Sequence, residues 1–424
     1  MENKKKQLSL RKQVFQGNIL AFGLVSFFTD LSTEMIYPLL PVFFSGFVST
    51  AAVAIYIGFM EGLSESTASL LKFYTGRLSD RLERRKPLAL AGYAISSTIR
   101  PFTAIASAGW QVVAFRVFDR IGKGIRTAPR DALLSESVTR NVRGRAFSFH
   151  RLMDHAGAVA GPLVAAGFLY LMLGRGILWH YGNHAATPAE MEALRWLFAL
   201  AALPGLAATI VLWRLIRETP CPSRAGNVSK TGLSNRKSGL PTRFFIFLMA
   251  VVLFTLGNSS DLFLIFYAQT RFGLGLGWVI ALWILLHLSK IVFSMPGGHL
   301  ADRMGRKPAI ITGWVIYAAV YIMMPFAAHF KVVCVLFLFY GIYYGMTEGA
   351  ERALVADFVT AGSLGKAYGW YHSAVGFATL PASLLFGVFW AGFGARSAFF
   401  IGAALAAGAV LVFAFGLPAG KMQD

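Results

Sequence analysis

The segments GRLSDRLERR (residues 76–85) and GHLADRMGRK (residues 298–307) are two copies of one pattern in a single chain. Glycine, leucine, aspartate and arginine occupy equivalent positions in both copies, and each copy ends in consecutive basic residues. The copies begin at residues 76 and 298, an offset of 222, and a second pair of similar segments, 132–147 and 353–368, keeps an offset of 221. We infer that the two halves of the chain are repeats of one structural unit.

The composition around these segments is that of a membrane protein. Of the 424 residues, 56% are hydrophobic and only 14% are charged, with a mean hydropathy of +0.58, whereas a soluble chain has about a quarter charged residues. A membrane-spanning helix needs about 20 predominantly apolar residues. Twelve candidate helices follow one another along the chain, at residues 15–45, 50–75, 87–107, 110–138, 146–173, 195–216, 243–270, 275–299, 309–328, 332–358, 366–392 and 396–417.

A hydrophilic stretch, residues 217–241, separates the sixth candidate helix from the seventh. We predict an all-α polytopic membrane protein with twelve transmembrane helices in two pseudo-symmetric six-helix bundles. The predicted N-terminal bundle covers residues 1–216, a cytoplasmic linker covers 217–242, and the C-terminal bundle covers 243–424. Parallel repeats of this kind are a known construction of transporters, in which the substrate site lies between the repeats near the bilayer midplane.

Basic residues are distributed unequally among the connecting loops. The chain has 40 Lys and Arg against 20 Asp and Glu, a formal net charge of +20. Residues 77–86, 140–145, 217–237 and 303–307 are rich in Lys and Arg, whereas the alternate loops hold almost none. Because cytoplasmic loops carry an excess of Lys and Arg, we predict that both termini and the linker are cytoplasmic. The charge suits a lipid bilayer with anionic headgroups, and no nucleic-acid partner is expected because no basic patch lies on a soluble domain.

The duplicated pattern resembles the signature of the major facilitator superfamily, Gly-x-Leu-x-Asp-Arg-x-Gly-Arg-Arg/Lys, which lies between the second and third helices. The copy at 298–307 matches every position, and the copy at 76–85 departs only at Glu83, where the signature has its second glycine. The resemblance extends over essentially the whole chain and implies two bundles that rock about a central cavity. It also implies a monomeric secondary transporter of small molecules in a bacterial cytoplasmic (inner) membrane.

The signature is expected to control opening of the cytoplasmic side. Its glycines let two helix ends approach closely, and its aspartate can meet the positive N-terminus of a neighbouring helix or an arginine. In the alternative interpretation, the basic residues of the signature only set the topology. Charged residues toward the cytoplasmic ends of the fourth and fifth helices are interpreted as further gating partners. The predicted gating residues are Gly76, Asp80, Arg81, Arg126, Arg130, Asp131, Arg151, Gly298, Asp302 and Arg303.

One face of the fourth helix carries a row of charges between residues 116 and 131. At 100° per residue these charges fall within an arc of roughly 140°, and such a face is costly in a bilayer unless it meets a cavity or a partner. Arginine suits recognition of carboxylate and phosphate groups, so we predict a substrate with at least one acidic group. The predicted substrate-binding residues are Arg100, Arg116, Arg120, Lys123 and Tyr37. Alternatively, these arginines pair with carboxylates of neighbouring helices.

Four carboxylates within the predicted helices are candidates for proton coupling, namely Asp30, Glu34, Asp261 and Glu348. Asp261 is equivalent to Glu34 in the repeat, allowing for a small gap. A carboxylate in a partly dry cavity can exchange protons under physiological conditions. In the alternative interpretation, each of the four is a salt-bridge partner or a substrate ligand.

The segment GAVAGP (residues 157–162) resembles the Gly-x-x-x-Gly-Pro run of antiporters in the same family and favours export. A helix kinked by proline and packed through small residues explains the same segment. We therefore predict proton-coupled antiport of an anionic or carboxylate-bearing organic solute. The alternatives are a proton symporter or facilitated importer, and a multidrug exporter of lipophilic cations. We expect neither an enzyme nor a cofactor or metal site, because the sequence has no phosphate-binding Gly-Lys-Ser/Thr loop, no metal-ligand spacing and no serine nucleophile elbow.

Overall fold

The computed structural model describes residues 17–82, 85–137, 143–180, 185–217, 240–358 and 364–417. Within these ranges the regular structure is helical, with no β-strand. The helices of the first half are α1 (Asn18–Glu34), α2 (Leu40–Ser45), α3 (Thr50–Leu82), α4 (Lys86–Ile99), α5 (Gly109–Glu136), α6 (Arg143–Leu178), α7 (Pro188–Leu200) and α8 (Ala202–Leu215). Those of the second half are α9 (Thr242–Gly257), α10 (Asp261–Phe272), α11 (Leu276–Met304), α12 (Arg306–Met323), α13 (Phe330–Asp357), α14 (Leu364–Phe393) and α15 (Ala395–Gly416).

Each predicted membrane segment corresponds to one helix or to two consecutive helices. Among the described residues, nine such segments are long and apolar enough to cross a bilayer. The remaining three predicted segments correspond to α3 and α5, which carry rows of charged residues, and to α4, which continues as a 3₁₀ helix at Arg100–Ile105. Most of the predicted linker, residues 218–239, lies outside the described residues, and the bundle boundaries stay a prediction.

Two of the predicted helices are interrupted at equivalent points of the repeat. Between α1 and α2, a 3₁₀ helix at Tyr37–Leu39 contains Pro38, and proline lacks the amide hydrogen that an uninterrupted helix uses. Between α9 and α10, the Ser260 hydroxyl accepts a hydrogen bond from the Leu262 amide and caps the second helix. Irregular backbone at membrane depth is tolerated where it borders a cavity or is buried in protein, and both breaks lie beside the central cavities described below.

The most extensive contacts between the described parts of the two halves are made by two helix pairs, α3 with α14 and α6 with α11. Because the repeat relates α3 to α11 and α6 to α14, the pseudo-symmetry exchanges these pairs. The α3–α14 contact is close, since a Cβ built on Gly58 would lie 2.5 Å from the Ser383 carbonyl oxygen, and one on Gly387 would lie 2.6 Å from the Ala54 carbonyl oxygen. Glycine at these positions lets the two backbones approach.

The outer surface of the helices is apolar. Leu171 and Phe415, for example, are each 83% exposed. A soluble protein seldom exposes large apolar surfaces, whereas a lipid-facing surface requires them. The exposed leucine and phenylalanine side chains therefore face the hydrocarbon of the bilayer.

The two ends of the molecule differ. We call the end where α3, α5 and α11 terminate the basic end, after the loops rich in Lys and Arg, and the opposite end the far end. At the far end the halves are in contact, because the Gly275 amide donates to the His180 carbonyl oxygen at 3.1 Å. The Trp179 and Trp278 rings also pack edge to face there, with centroids 5.0 Å apart. These contacts close the far end.

Candidate functional site

A cavity of about 750 Å³ lies between the halves on the side of the basic end. We call it the cationic cavity, because six basic and four acidic side chains line it together with two histidines. These residues are Lys72, Lys123, Arg126, Arg130, Arg151, Arg352, Asp30, Glu65, Asp131, Asp154, His150 and His372. The side chains of Arg151 and Asp131 are 52% and 43% exposed, so this side of the cavity reaches solvent.

A smaller pocket of about 280 Å³ continues from the cationic cavity. The two share Glu65, Arg352, Val375 and Thr379. We call the smaller one the acidic pocket, because its charged lining consists of Glu61, Glu65, Glu348, Glu351 and Arg352. The rest of its polar and aromatic lining includes Phe254, Asn258, Ser259, Ser260, Tyr343, Tyr344 and Tyr371. Despite these carboxylates, no group of three or more His, Cys, Asp or Glu that could hold a metal ion is found in the part of the chain that the structure describes.

Arg100, which was predicted to bind substrate, lies outside the lining of both cavities and belongs to a buried network. Its Nη2 donates to Asp119 Oδ1 at 2.9 Å and its Nη1 donates to Ser32 Oγ at 2.7 Å. Only 5% of the Arg100 side chain is exposed. Buried polar groups in proteins are held by such hydrogen bonds, so this geometry favours the interpretation in which Arg100 is an internal partner.

Arg116 and Tyr37 lie beside the acidic pocket, behind Glu61. The Arg116 guanidinium carbon is 4.4 Å from the centre of the Tyr37 ring, a cation–π geometry, and the Tyr37 hydroxyl donates to Glu61 Oε2 at 2.6 Å. Arg116 Nη1 also lies 3.5 Å from Asp119 Oδ2. Among the described residues, Nε and Nη2 of Arg116 and Oε1 of Glu61 are buried without a hydrogen-bond partner. The two predicted substrate-binding residues are therefore absent from the pocket lining and contact it through Glu61 and, for Tyr37, Ser260.

Lys123 is the predicted substrate-binding residue that the structure brings to a cavity wall. It lines the cationic cavity and forms no ion pair within 4 Å with a described residue. Arg120 lies outside the lining of both cavities. Its positive charge, like that of Lys123, attracts the Glu65 carboxylate. The row of charges on α5 is therefore divided between cavity wall and internal partners.

Asp30 and Glu34, two of the predicted proton-coupling residues, lie where α6 packs against α1. A Cβ built on Gly157 would lie 3.1 Å from the Asp30 Cβ, and one on Gly161 would lie 2.9 Å from the Glu34 Cβ. Asp30 lines the cationic cavity and forms no hydrogen bond or ion pair with a described residue. Glu34 Oε2 accepts a hydrogen bond from Trp283 Nε1 at 2.8 Å, which joins α1 to α11 across the two halves.

The other two predicted proton-coupling residues form ion pairs. Asp261 is bound by Lys290 Nζ through one oxygen and accepts a hydrogen bond from the Tyr340 hydroxyl at 2.7 Å through the other. Glu348 lines the acidic pocket and lies 3.6 Å from Arg151 Nη1, on α6 of the other half. Asp261 is thus engaged within the second half, whereas Glu348 bridges the halves.

The predicted gating residues on α5 make their contacts within the first half. Arg126 Nη1 donates to Ser96 Oγ at 2.6 Å, and its guanidinium carbon is 4.5 Å from the centre of the Tyr93 ring. Arg130 pairs with Asp131 at 2.8 Å. All three gating candidates line the cationic cavity, so they also face any solute bound there.

The signature segments are only partly described. The helical backbone of the predicted gating residues is described, but not the surroundings of Gly76 and Gly298 or the side chains of Asp80, Arg81 and Asp302. Arg303 is exposed at the basic end. In the second copy, Arg306 pairs with Asp357 and donates to the Ala353 carbonyl oxygen at 2.7 Å. This segment therefore holds the α11–α12 connection against the end of α13.

Three carboxylates of the acidic pocket, Glu61, Glu65 and Glu351, are absent from the predicted site. Glu351 Oε1 accepts a hydrogen bond from Trp314 Nε1 at 3.1 Å, and its Oε2 accepts one from the Tyr371 hydroxyl at 2.8 Å. In the sequence Glu351 is followed by Arg352, and this neighbour suggests a local ion pair between the two. Its donors come from α12 and α14, and only the tertiary structure brings them together.

Comparison with known proteins identifies the family. The sequence model of the Major Facilitator Superfamily matches residues 22–289 and 274–423, so the chain belongs to this superfamily. An uncharacterized MFS-type transporter of Methanocaldococcus jannaschii is 31% identical over 379 residues, which cover 88% of each chain. The class B tetracycline resistance protein of Escherichia coli is 20% identical over 300 residues, 69% of this chain and 68% of that one.

The crystal structure of a D-xylose-proton symporter shares the fold. It aligns with a TM-score of 0.73 at 18% identity, covering 96% of this chain and 98% of that one. The predicted fold class, twelve helices in two pseudo-symmetric bundles, is the fold of this superfamily. Membership also makes the chain a multi-pass membrane transporter of small molecules rather than an enzyme.

Proposed function

We propose that the protein is a proton-coupled transporter that exports a small organic solute with an acidic group across a bacterial cytoplasmic membrane. The observation that carries this proposal is the pair Lys72 and Lys123. Both line the cationic cavity, and neither has an ion pair within 4 Å among the described residues. Both lysines lie near Glu65, but the cavity lining as a whole has six basic and four acidic side chains, and this excess of positive charge favours an anionic ligand in a shielded cavity.

The proposed orientation makes the cavity accessible from the cytoplasm. If the basic end is cytoplasmic, as the Lys and Arg bias favours, the far-end contacts of Gly275 and Trp278 close the external side. A cavity reached from the cytoplasm is the state in which an exporter takes up its solute. Similarity to a tetracycline resistance protein supports export. Rocking of the halves would then break the Glu34–Trp283 hydrogen bond, since this bond joins α1 to α11.

Proton coupling is proposed to involve Asp30 first. It lines the same cavity as Lys123. Its carboxylate is repelled by the negative charges of Asp154 and Glu34 and attracted by the positive charges of Lys123 and Arg126. A carboxylate with no hydrogen-bond donor among the described residues can take up a proton without breaking a contact. Antiport additionally requires that the solute and the proton displace each other, because a ligand can shift an equilibrium only through its differential affinity for the two states.

The test uses purified protein in liposomes that hold a pH-sensitive dye. Under an imposed proton gradient we expect organic acids, such as benzoate and its derivatives, to produce a dye response that Lys123→Gln abolishes. Lys331→Gln is the matched control, because Lys331 is exposed at the far end of α13. A response to lipophilic cations alone, or an unchanged response of Lys123→Gln to acids, would refute the proposal. The sign of the pH change separates antiport from symport.

A further inference from the structure

We propose that the transported solute is amphoteric, with its acidic group in the cationic cavity and a cationic group in the acidic pocket. This inference rests on the proposed transport of an acid and names the substrate class more closely. It follows from the distribution of unneutralised charge in the two connected cavities, which have opposite signs.

The acidic pocket contains two carboxylates that only neutral donors hold. Glu61 Oε2 accepts hydrogen bonds from the Tyr37 and Ser260 hydroxyls, at 2.6 and 3.3 Å, and Glu351 accepts from an indole and a phenol. In the described part of the chain, neither carboxylate has a basic nitrogen within 4 Å. Arg116 acts on Glu61 only from a greater distance, and Arg352 pairs with Glu348 at 3.0 Å.

One oxygen of this pocket has no partner at all among the described residues. Oε1 of Glu61 is buried and accepts no hydrogen bond, although Glu61 lines the pocket. A buried carboxylate oxygen without a donor is costly. A positive charge bound in the pocket would offset part of that cost, and a second carboxylate, Glu351, lines the same pocket from the other half.

The walls of the acidic pocket also suit a cation. Phe254, Tyr343 and Tyr371 line it, and the Phe254 and Tyr343 ring centroids are 5.8 Å apart. Aromatic rings attract ammonium groups through their negative faces. The pocket thus combines carboxylates with aromatic side chains, and both features favour an amine.

The two cavities are continuous, so one molecule can reach both. They share Glu65 and Arg352, and their volumes of about 280 and 750 Å³ are in the range of small-molecule sites, roughly 300 to 1,000 Å³. On one side of the boundary basic side chains are in excess and include Lys72 and Lys123, and on the other side carboxylates are in excess. This arrangement matches the two charges of an extended amphoteric molecule.

An amphoteric solute also explains exchange with protons. A purely anionic solute and a proton on a nearby carboxylate would bind together, because protonation removes a like charge and strengthens anion binding. An ammonium group and a proton compete for the same carboxylates. Competition at Glu61 and Glu351 therefore yields antiport, whereas the cationic cavity alone would favour symport.

The experiment measures binding to the detergent-purified full chain by calorimetry. The probes are 4-(aminomethyl)benzoate, its homologues with aminoalkyl chains of up to six carbons, 4-methylbenzoate and 4-methylbenzylamine. We expect at least one amino acid of the series to bind ten or more times as tightly as both singly charged probes. Lys123→Gln should lower its affinity to that of the amine, and Glu351→Gln should lower it to that of the acid. The matched controls are Lys331→Gln and Glu192→Gln, both at exposed positions, with thermal unfolding to verify folding.

Two outcomes would overturn the inference. In the first, no amino acid of the series binds more tightly than the better singly charged probe. In the second, Glu351→Gln leaves binding unchanged and abolishes only proton movement, which would mean that the acidic pocket binds protons but not the solute. In either case, transport of 4-methylbenzoate by the liposome assay would leave the proposed function standing, so the two failures are distinguishable.

Discussion

Substitution of the buried Asp119 tests whether Arg100 and Arg116 are internal ion-pair partners or bind substrate. The Asp119 carboxylate faces two guanidinium groups, Arg100 at 2.9 Å and Arg116 at 3.5 Å, and all three side chains are less than 8% exposed. Asp119→Asn keeps the shape of the side chain but leaves both arginines without their counter-charge. Removing one partner of a buried ion pair costs about 3–5 kcal/mol. Because two arginines depend on this carboxylate, we expect a loss at the upper end of that range.

The loss is measured as the free energy of unfolding in a denaturing-detergent titration, with thermal unfolding as a second measurement. The double variant Arg100→Leu with Asp119→Leu is the internal comparison, since replacing a buried pair by apolar side chains of similar volume is often neutral or stabilising. We expect this variant to recover only part of the stability lost in Asp119→Asn, because Arg116 still loses its contact with Asp119. A loss below about 1 kcal/mol in Asp119→Asn, together with abolished acid binding, would refute the assignment of Arg100 as an internal partner.

Three further changes test the contacts between the halves. Trp283→Phe removes the hydrogen bond to Glu34, and we expect faster hydrogen–deuterium exchange at the far end, with a loss of about 1 kcal/mol; unchanged exchange would mean that this bond does not hold the halves together. Gly58→Val adds side-chain atoms at a position where a Cβ alone would lie 2.5 Å from a carbonyl oxygen of α14, so we expect both transport and thermal stability to fall. Gly392→Val is the control and should change neither, because a Cβ at Gly392 meets nothing within 4 Å. Arg151→Gln breaks a half-exposed pair with α13, and because solvent screens such pairs to about 0–1 kcal/mol, we expect unaltered stability and a changed transport rate; a large loss of stability would contradict this.

The helices were predictable because membrane insertion imposes a simple rule on the chain. Segments of about 20 apolar residues must become helices, since lipid offers no hydrogen-bond partner to the backbone. The two signature copies at 76–85 and 298–307 revealed the repeat, whereas the breaks after α1 and α9 were not predicted, since both segments were expected to be single helices. The prediction was weaker at α3 and α5, where charges replace apolar residues on the cavity side.

The candidate site was only partly predictable, because helix periodicity shows which residues share a face but not what that face meets. Lys123 and Asp30 line the cationic cavity, and their roles in substrate binding and proton coupling stay predictions. Arg100 stands on a comparable polar face, yet it meets Asp119 and Ser32 and leaves the cavity. Glu351 was not predicted as a site residue, because Arg352 follows it in the sequence and suggests a local ion pair. In the structure its hydrogen-bond donors are instead the neutral side chains of Trp314 and Tyr371.

The sequence by itself determined the superfamily, the helix count expected for it and the excess of basic residues in one set of loops. These properties depend on composition, on spacing along one chain and on local hydropathy. Only the tertiary structure decided which charges are neutralised. A pair such as Arg100–Asp119 and an unpaired lysine such as Lys123 differ in their neighbours across helices, and at membrane depth that difference separates an internal ion pair from a group left to bind a ligand.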